Sequence, residues 1–342
     1  MLIPYRTRCF FKRFGVLFLV IAIAAVAVLI CWMAWLDRYV VYTRDRGAVL
    51  DFSRSAQSLT GQSAVAPKER EPVEIHTYDS TQESQDSKKL KQLAGYYITG
   101  KELETNFDEV KSQISLLPEN TAVMMDVKSI YGNFFYSSQV SENRNSDLDI
   151  AAMDSLIAEL NSGKYYTIAR LPALRDRLYG LNNVNDGLPV AAGYLWMDDY
   201  GCYWLNPDKN GTISYLVSIA NELKNLGFDE VVFCDYYFPE TTSIVFQGDK
   251  AKSLAQAAQT IVNTCASDTF AVSFTMEQSF EAPRGRSRIY LPDAAAAQAE
   301  TLANQFGFED PQVRVVFLTD IHDTRFDDFS VLRPITDADV ME

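Results

Sequence analysis

Histidine is nearly missing from this chain: among 342 residues only His76 and His322 occur. That argues against a histidine-rich metal site, and any Ser-His-Asp arrangement would have to rest on His322 alone. Cysteine is scarce as well. Of five, Cys9 and Cys31 lie before or within a long apolar run, and Cys202, Cys234 and Cys265 lie beyond it. Their spacing is not that of a metal-ligand set, and it leaves one disulfide or three buried thiols open. Cys265 falls on the apolar stripe of a helix, where a free thiol packs as a small hydrophobe. No phosphate-cradling glycine loop of the GxGxxG or GxxxxGK kind is present. Neither a metal nor a cofactor is expected. The third shortage is positive charge. Four of the 31 basic residues (Arg6, Arg8, Lys12 and Arg13) fall in the first 13 positions, leaving 27 against 45 acids, a formal charge of −18. Such a surface repels nucleic acid and anionic headgroups, so no nucleic-acid partner is expected.

What the chain does have begins with Phe14 to Leu36, an uncharged run of 23 residues ended by Asp37. At 1.5 Å per residue it is long enough for a hydrocarbon core of about 30 Å. It is too long for the apolar core of a signal peptide, and its bulky end, CWMAWLDR, offers no small-residue cleavage site. The reading is a cytoplasmic tail over 1–13, an uncleaved transmembrane anchor over 14–36, and an extracytoplasmic remainder oriented by the basic flank. The anchor is then the membrane partner, and the expected location is the cell membrane, single-pass.

Residues 37–91 read as a juxtamembrane segment and flexible linker, with 51–90 rich in Ser, Thr, Gln and charge and too poor in apolar surface to fold. A flexible stretch of that length spans roughly 35 Å. Residues 92–342 show no second linker, and their length suits one (β/α)8 barrel. Apolar runs at 93–99, 121–127, 165–171, 230–236, 270–276, 288–292, 313–320 and 329–335 predict eight strands buried on both faces. Helical spacing lies between them, as in Leu103, Phe107, Val110 and Ile114, or Leu254, Ala257, Ala258, Ile261, Val262 and Cys265. Asp293 is a candidate cap for the Ala-rich helix that follows it. Residues 172–214 are an insertion beyond a minimal barrel, carrying Tyr194, Trp196, Tyr200, Tyr203 and Trp204. Long ordered loops are usually functional, and in barrels the loops after strands build the active face.

Four acids follow strands: Asp126, Asp235, Glu277 and Asp320. In a barrel their strand ends share one face. Glycoside hydrolysis needs two carboxyl groups and flat apolar surfaces for sugar rings, and the aromatic insertion offers the latter. Each acid has a plainer explanation as a helix cap or an arginine partner, and Trp196 and Trp204 have one as packing. Arg170 is the expected counter-ion of Asp126 or Asp235.

The ordered series LAGYYITG, TAVMMDVKSIYG, YYTIARLPALRD, GYLWMDDYGCYWLNP and SYLVSIANELKNLGFDEVVFCDYYFP resembles a bacterial family of TIM-barrel proteins, the "putative glycoside hydrolase domain" family. The resemblance covers residues 93 to about 240. It implies a membrane-anchored, extracytoplasmic glycoside hydrolase-like protein acting on cell-envelope or extracellular polysaccharide. It implies Asp126 as a catalytic acid, with Asp235 the nearby candidate for the second, while Lys128, Arg170, Trp196, Trp204 and Tyr236 are the candidate substrate-binding residues. Asp126 and Lys128 match the family's DVK, Arg170 its IAR, and Asp176 its KD. The chain departs from the pattern in three places. Ser129 replaces a second acid, Tyr237 replaces an arginine, and Cys234 stands where the family has aspartate, one residue before Asp235. In an extended strand that shift turns Asp235 toward the helices unless a bulge re-aims it. The alternative expectation is a catalytically degenerate barrel that binds glycan or a cell-envelope protein.

Overall fold

The eight apolar runs all form strands, and the strands close on one another. The computed structural model describes residues 40–43, 47–50 and 90–336. The tail, the anchor and linker residues 51–89 lie outside the described residues. Among those described, no helix is long and apolar enough to cross a membrane. Ahead of the barrel in the chain, β1 (Val40–Thr43) and β2 (Gly47–Leu50) pair antiparallel as a small sheet of their own.

The barrel strands are β3 (Ala94–Ile98), β4 (Ala122–Asp126), β5 (Tyr166–Pro172), β6 (Glu230–Cys234), β7 (Ala271–Thr275), β8 (Ile289–Pro292), β9 (Val315–Leu318) and β10 (Ser330–Pro334). They run in sequence order round a closed parallel barrel, with β10 pairing β3. Period-two alternation sorts their side chains into two cores. Ala122, Met124, Ile168, Val232, Tyr290, Val316 and Leu332 fill the interior. Val123, Met125, Ala169, Leu171, Val231, Phe233, Val272 and Phe274 pack outward against the helices. Gly95 is required by close approach, since a Cβ there would lie 1.9 Å from the carbonyl oxygen of Ala122.

The helices are α1 (Gly100–Thr105), α2 (Phe107–Leu116), α3 (Ile150–Leu160), α4 (Arg177–Asn182), α5 (Asn210–Asn225), α6 (Lys250–Cys265), α7 (Ala299–Asn304) and α8 (Pro311–Arg314). The apolar spacing of 103–114 predicts one helix, but the chain breaks it at Asn106, whose backbone leaves the helical region. Asp293 is not a cap: it takes a left-handed φ of 54°, and no side chain caps the short turn at Ala296–Gln298 or α7. The insertion carries α4 and then a loop tied by short bridges, Arg175 to Trp204, Pro189 to Leu195 and Met197 to Tyr203.

At the N-terminal end the barrel is plugged by charge. Glu230 and Arg288, both wholly buried, form an ion pair inside it. Tyr166 and Tyr290 donate to the Glu230 carboxylate at 2.9 and 3.0 Å, and Arg288 also donates to the Val313 and Lys91 carbonyls. A buried pair stands only with its remaining groups satisfied, and these contacts supply that. The C-terminal end is left to hold the site.

Candidate active site

Continuing the alternation places Asp126, Arg170 and Cys234 on the interior face, each two residues beyond Met124, Ile168 and Val232. Asp126 stands opposite Arg170 in the β4–β5 register, and Arg170 stands opposite Val232 in the β5–β6 register. Cys234 is therefore one interior layer higher, nearer the mouth.

Both oxygens of Asp126 are engaged. Arg170 donates from Nε to Oδ1 at 2.6 Å and from Nη2 to Oδ2 at 3.1 Å, the fork geometry that favours arginine over lysine. The Gly100 backbone N–H adds a bond to Oδ2 at 2.8 Å. That amide is held in place by a capping box, in which Thr99 accepts from the Glu102 amide while Glu102 accepts from the Thr99 amide. Gly100 has no room for a side chain, since a Cβ would meet the Phe135 ring at 2.8 Å. Arg170 is held charged: burial opposes its charge, but Asp126 outweighs that and raises the guanidinium pKa.

Asp235 follows the last residue of β6 with a left-handed φ of 48°. Strict alternation would send its side chain toward the helices, but alternation holds only for extended backbone. The left-handed turn instead leaves its carboxylate 3.8 Å from Arg175 Nη1, about one-fifth exposed. Asp and Asn are among the few side chains that tolerate this conformation. Burial raises the Asp235 pKa above its ordinary value, against the opposing pull of Arg175, Lys128 and Arg170. Glu277, two residues beyond β7, is open to solvent at the rim, yet the surrounding mass of the mouth and the charge of Asp235 still raise its pKa. Cys234 is a neutral thiol, its pKa pushed well up by burial and by Asp235. Asp320 is exposed beyond β9. The three described cysteines are all free.

Arg175 joins the mouth to the insertion. Its Nε donates to Asp198 Oδ2 at 2.7 Å, and its guanidinium lies 4.7 Å from the Tyr200 ring centre. Asp198 organises a tight turn by accepting from the backbone amides of Tyr200 and Cys202 and from Trp204 Nε1. Burial opposes its ionisation, but these donors and Arg175 together hold its pKa below the usual carboxylate value. Tyr200 projects from that turn, 66% exposed.

Three residues expected to touch substrate have other work. Lys128 is buried with its Nζ 2.7 Å from the equally buried Asp176 and a further bond to the Pro172 carbonyl. Asp176 in turn caps α4 and accepts from Tyr215, so the pair ties β4 to the insertion and α5. Tyr236 is wholly buried against Phe274 and Phe280, with its hydroxyl on the Leu254 carbonyl. Trp204 is 3% exposed, edge-on to Tyr237 and 6.5 Å from Trp196. Trp196 is half-buried and keeps some open surface. The exposed rings of the insertion are Tyr194 and Tyr200. Arg175 and Asp198 are not evident as a pair from their spacing; an acid amid the aromatics of WMDDYG was the available signal.

Comparison with known proteins agrees with this architecture. Residues 95–272 match the family model described as "Putative glycosyl hydrolase domain", just over half of the chain. The galactosidase domain of an alpha-galactosidase-sucrose kinase shares the fold with a TM-score of 0.51 at 12% identity, over 72% of this chain and 38% of that one. A hypothetical protein from Ruminiclostridium thermocellum ATCC 27405 aligns at 20% identity and a TM-score of 0.44, over 52% of this chain and 96% of that one. No curated protein matches the sequence. The chain belongs to the putative glycosyl hydrolase domain family.

Proposed function

We propose, from that family membership, that the barrel is a glycoside hydrolase whose proton donor is Asp235 and whose ionised partner is Asp126. The observation that carries the reading is the left-handed turn at Asp235, which returns to the mouth a carboxyl group that strand alternation would have lost. Its raised pKa suits a group that must keep its proton until a glycosidic oxygen takes it. Asp126, bonded by Arg170 and the Gly100 amide, is the acceptor-only carboxylate that an oxocarbenium-like transition state needs on its other side. In the reaction Asp235 protonates the leaving oxygen as the glycosidic bond breaks. Asp126 either receives the sugar carbon or activates a water, and the anomeric configuration of the product distinguishes the two.

A second reading, a barrel that binds glycan without cleaving it, draws on two observations. Both Asp126 oxygens are occupied by Arg170, and a neutral thiol stands at position 234. Release of reducing ends from polysaccharide, compared between the full chain and Asp235→Asn, decides between them. Loss of activity in the variant supports hydrolysis; glycan binding with no turnover in the unaltered chain supports the second reading.

The apolar run at 14–36 is the proposed anchor, holding the barrel outside the cytoplasm against envelope or extracellular polysaccharide. Protease added to intact spheroplasts should remove the barrel; its full protection would refute this orientation.

A further inference from the structure

The three cations that act on Asp235 are each paired with another carboxylate. Arg170 carries Asp126, Lys128 carries Asp176, and Arg175 carries Asp198 at 2.7 Å while also standing 3.8 Å from Asp235. Three cations are thus divided among four carboxylates, and Glu277 at the rim accepts from the Thr275 hydroxyl at 3.3 Å and from the Asp235 backbone amide, neither of which carries a charge. Those groups face the mouth from β4, from β5 and the loop after it, from the insertion, from the turn after β6 and from the segment after β7. None of them offers a cation to a second anion.

The rim above Arg175 adds a surface of a different kind. The Tyr200 ring rests on that guanidinium, and its 66% exposure leaves ring surface open to solvent. Since the same guanidinium reaches Asp235, a sugar lying on Tyr200 would be next to the proposed acid. Tyrosine presents a flat apolar surface to the C–H face of a pyranose and brings no positive charge.

We infer that the saccharide received over Asp235, Glu277 and Tyr200 is uncharged or amine-bearing, and that sugars carrying a carboxylate, sulfate or phosphate are excluded. The inference rests on the hydrolase reading for the place of the site, and it adds the chemical class of the substrate. An acidic sugar would set a further anion beside Glu277, and beside Asp235 once that group has given up its proton, and like charges so placed discriminate between partners. An uncharged ring meets no such repulsion. An amine meets attraction.

Calorimetric titration of the full-length chain with four hexasaccharides tests this: cellohexaose and chitohexaose (neutral), the fully deacetylated chitosan hexamer (amine-bearing) and hexagalacturonate (acidic). The best neutral or amine-bearing hexamer should bind at least tenfold more tightly than hexagalacturonate. The double variant Asp235→Asn/Glu277→Gln, checked for folding by circular dichroism, should bind hexagalacturonate at least threefold more tightly than the unaltered chain does. Hexagalacturonate binding as tightly as the best of the others overturns the inference and leaves the hydrolase reading standing. An unchanged hexagalacturonate affinity in a folded double variant also overturns it. If none of the four binds and no polysaccharide is cleaved, the hydrolase reading falls and the inference with it.

Discussion

Lys128 and Asp176 meet at 2.7 Å with both side chains wholly buried, although one lies just beyond β4 and the other at the start of α4. The contact fastens the aromatic insertion to the barrel wall. Removing one partner leaves an uncompensated buried charge, which costs about 3–5 kcal/mol. Lys128→Met should lower unfolding free energy by that order in urea denaturation. The double variant Lys128→Met/Asp176→Leu should lose less than the two single losses added together. Strict additivity would show that the two charges do not support each other.

Trp204 and Tyr200 should separate cleanly. Trp204 is buried and bonded to Asp198, so Trp204→Ala should cost about 3–5 kcal/mol of stability, as for other large-to-small core changes. Tyr200 is exposed and loses chiefly its contact with Arg175, so Tyr200→Ala should cost about 1 kcal/mol or less. Thermal unfolding of the two variants measures both. A glycan-binding loss confined to Tyr200→Ala would identify the platform, and a stable Trp204→Ala would contradict its place in the core.

The contrast shows where sequence reading succeeded. All eight barrel strands were legible, because a parallel strand covered on both faces must be apolar almost throughout. Asp126 and Arg170 were legible as strand-end groups, but the sequence left Arg170 to pair with Asp126 or Asp235, and the fold places it on Asp126. The roles of Lys128, Trp204 and Tyr236 were not. A motif gives a residue's place in the chain, but which side of the loop it faces depends on the fold of the insertion. The turn at Asp235 was hidden for a similar reason. Alternation predicts an outward side chain, and a single left-handed residue reverses the outcome without any inserted residue.

That turn makes stability depend on pH in a definite direction. Burial raises the Asp235 pKa above its ordinary 3.8, so between that value and the higher folded one the native state holds more protons than the unfolded state. Stability contributed by Asp235 is therefore greatest at low pH and falls as pH rises through this window. Asp235→Asn keeps a side chain suited to left-handed backbone and lacks the ionisation. The variant should gain in melting temperature relative to the unaltered chain as pH rises from 3.5 to 7, while Arg175 keeps Asp198 as its partner. A constant difference across that range would mean that Asp235 ionises as freely in the fold as outside it.

The catalytic prediction turns on the neighbouring thiol. If hydrolysis uses Asp235 as acid and Asp126 as carboxylate, Asp126→Asn and Asp235→Asn should each lower kcat/KM by at least about a hundredfold with the fold intact, since general-acid contributions alone reach about 10²–10⁴. The pH dependence of kcat/KM separates their roles. Loss of rate on the alkaline side should follow the ionisation of Asp235, and neutralising Glu277, whose pKa is itself raised beside Asp235, should shift that limb. Cys234 faces the same mouth as a neutral thiol held near Arg170 and Asp126. Cys234→Asp would bring a further carboxylate into competition for Arg170. In a working hydrolase that change should lower activity, because it disturbs the bidentate hold on Asp126. In a barrel that only binds, it would instead introduce cleavage absent from the unaltered chain. Measuring reducing ends released by Cys234→Asp beside the unaltered chain therefore gives opposite signs for the two readings, and a rise from zero would sink the assignment of Asp235 as the acid.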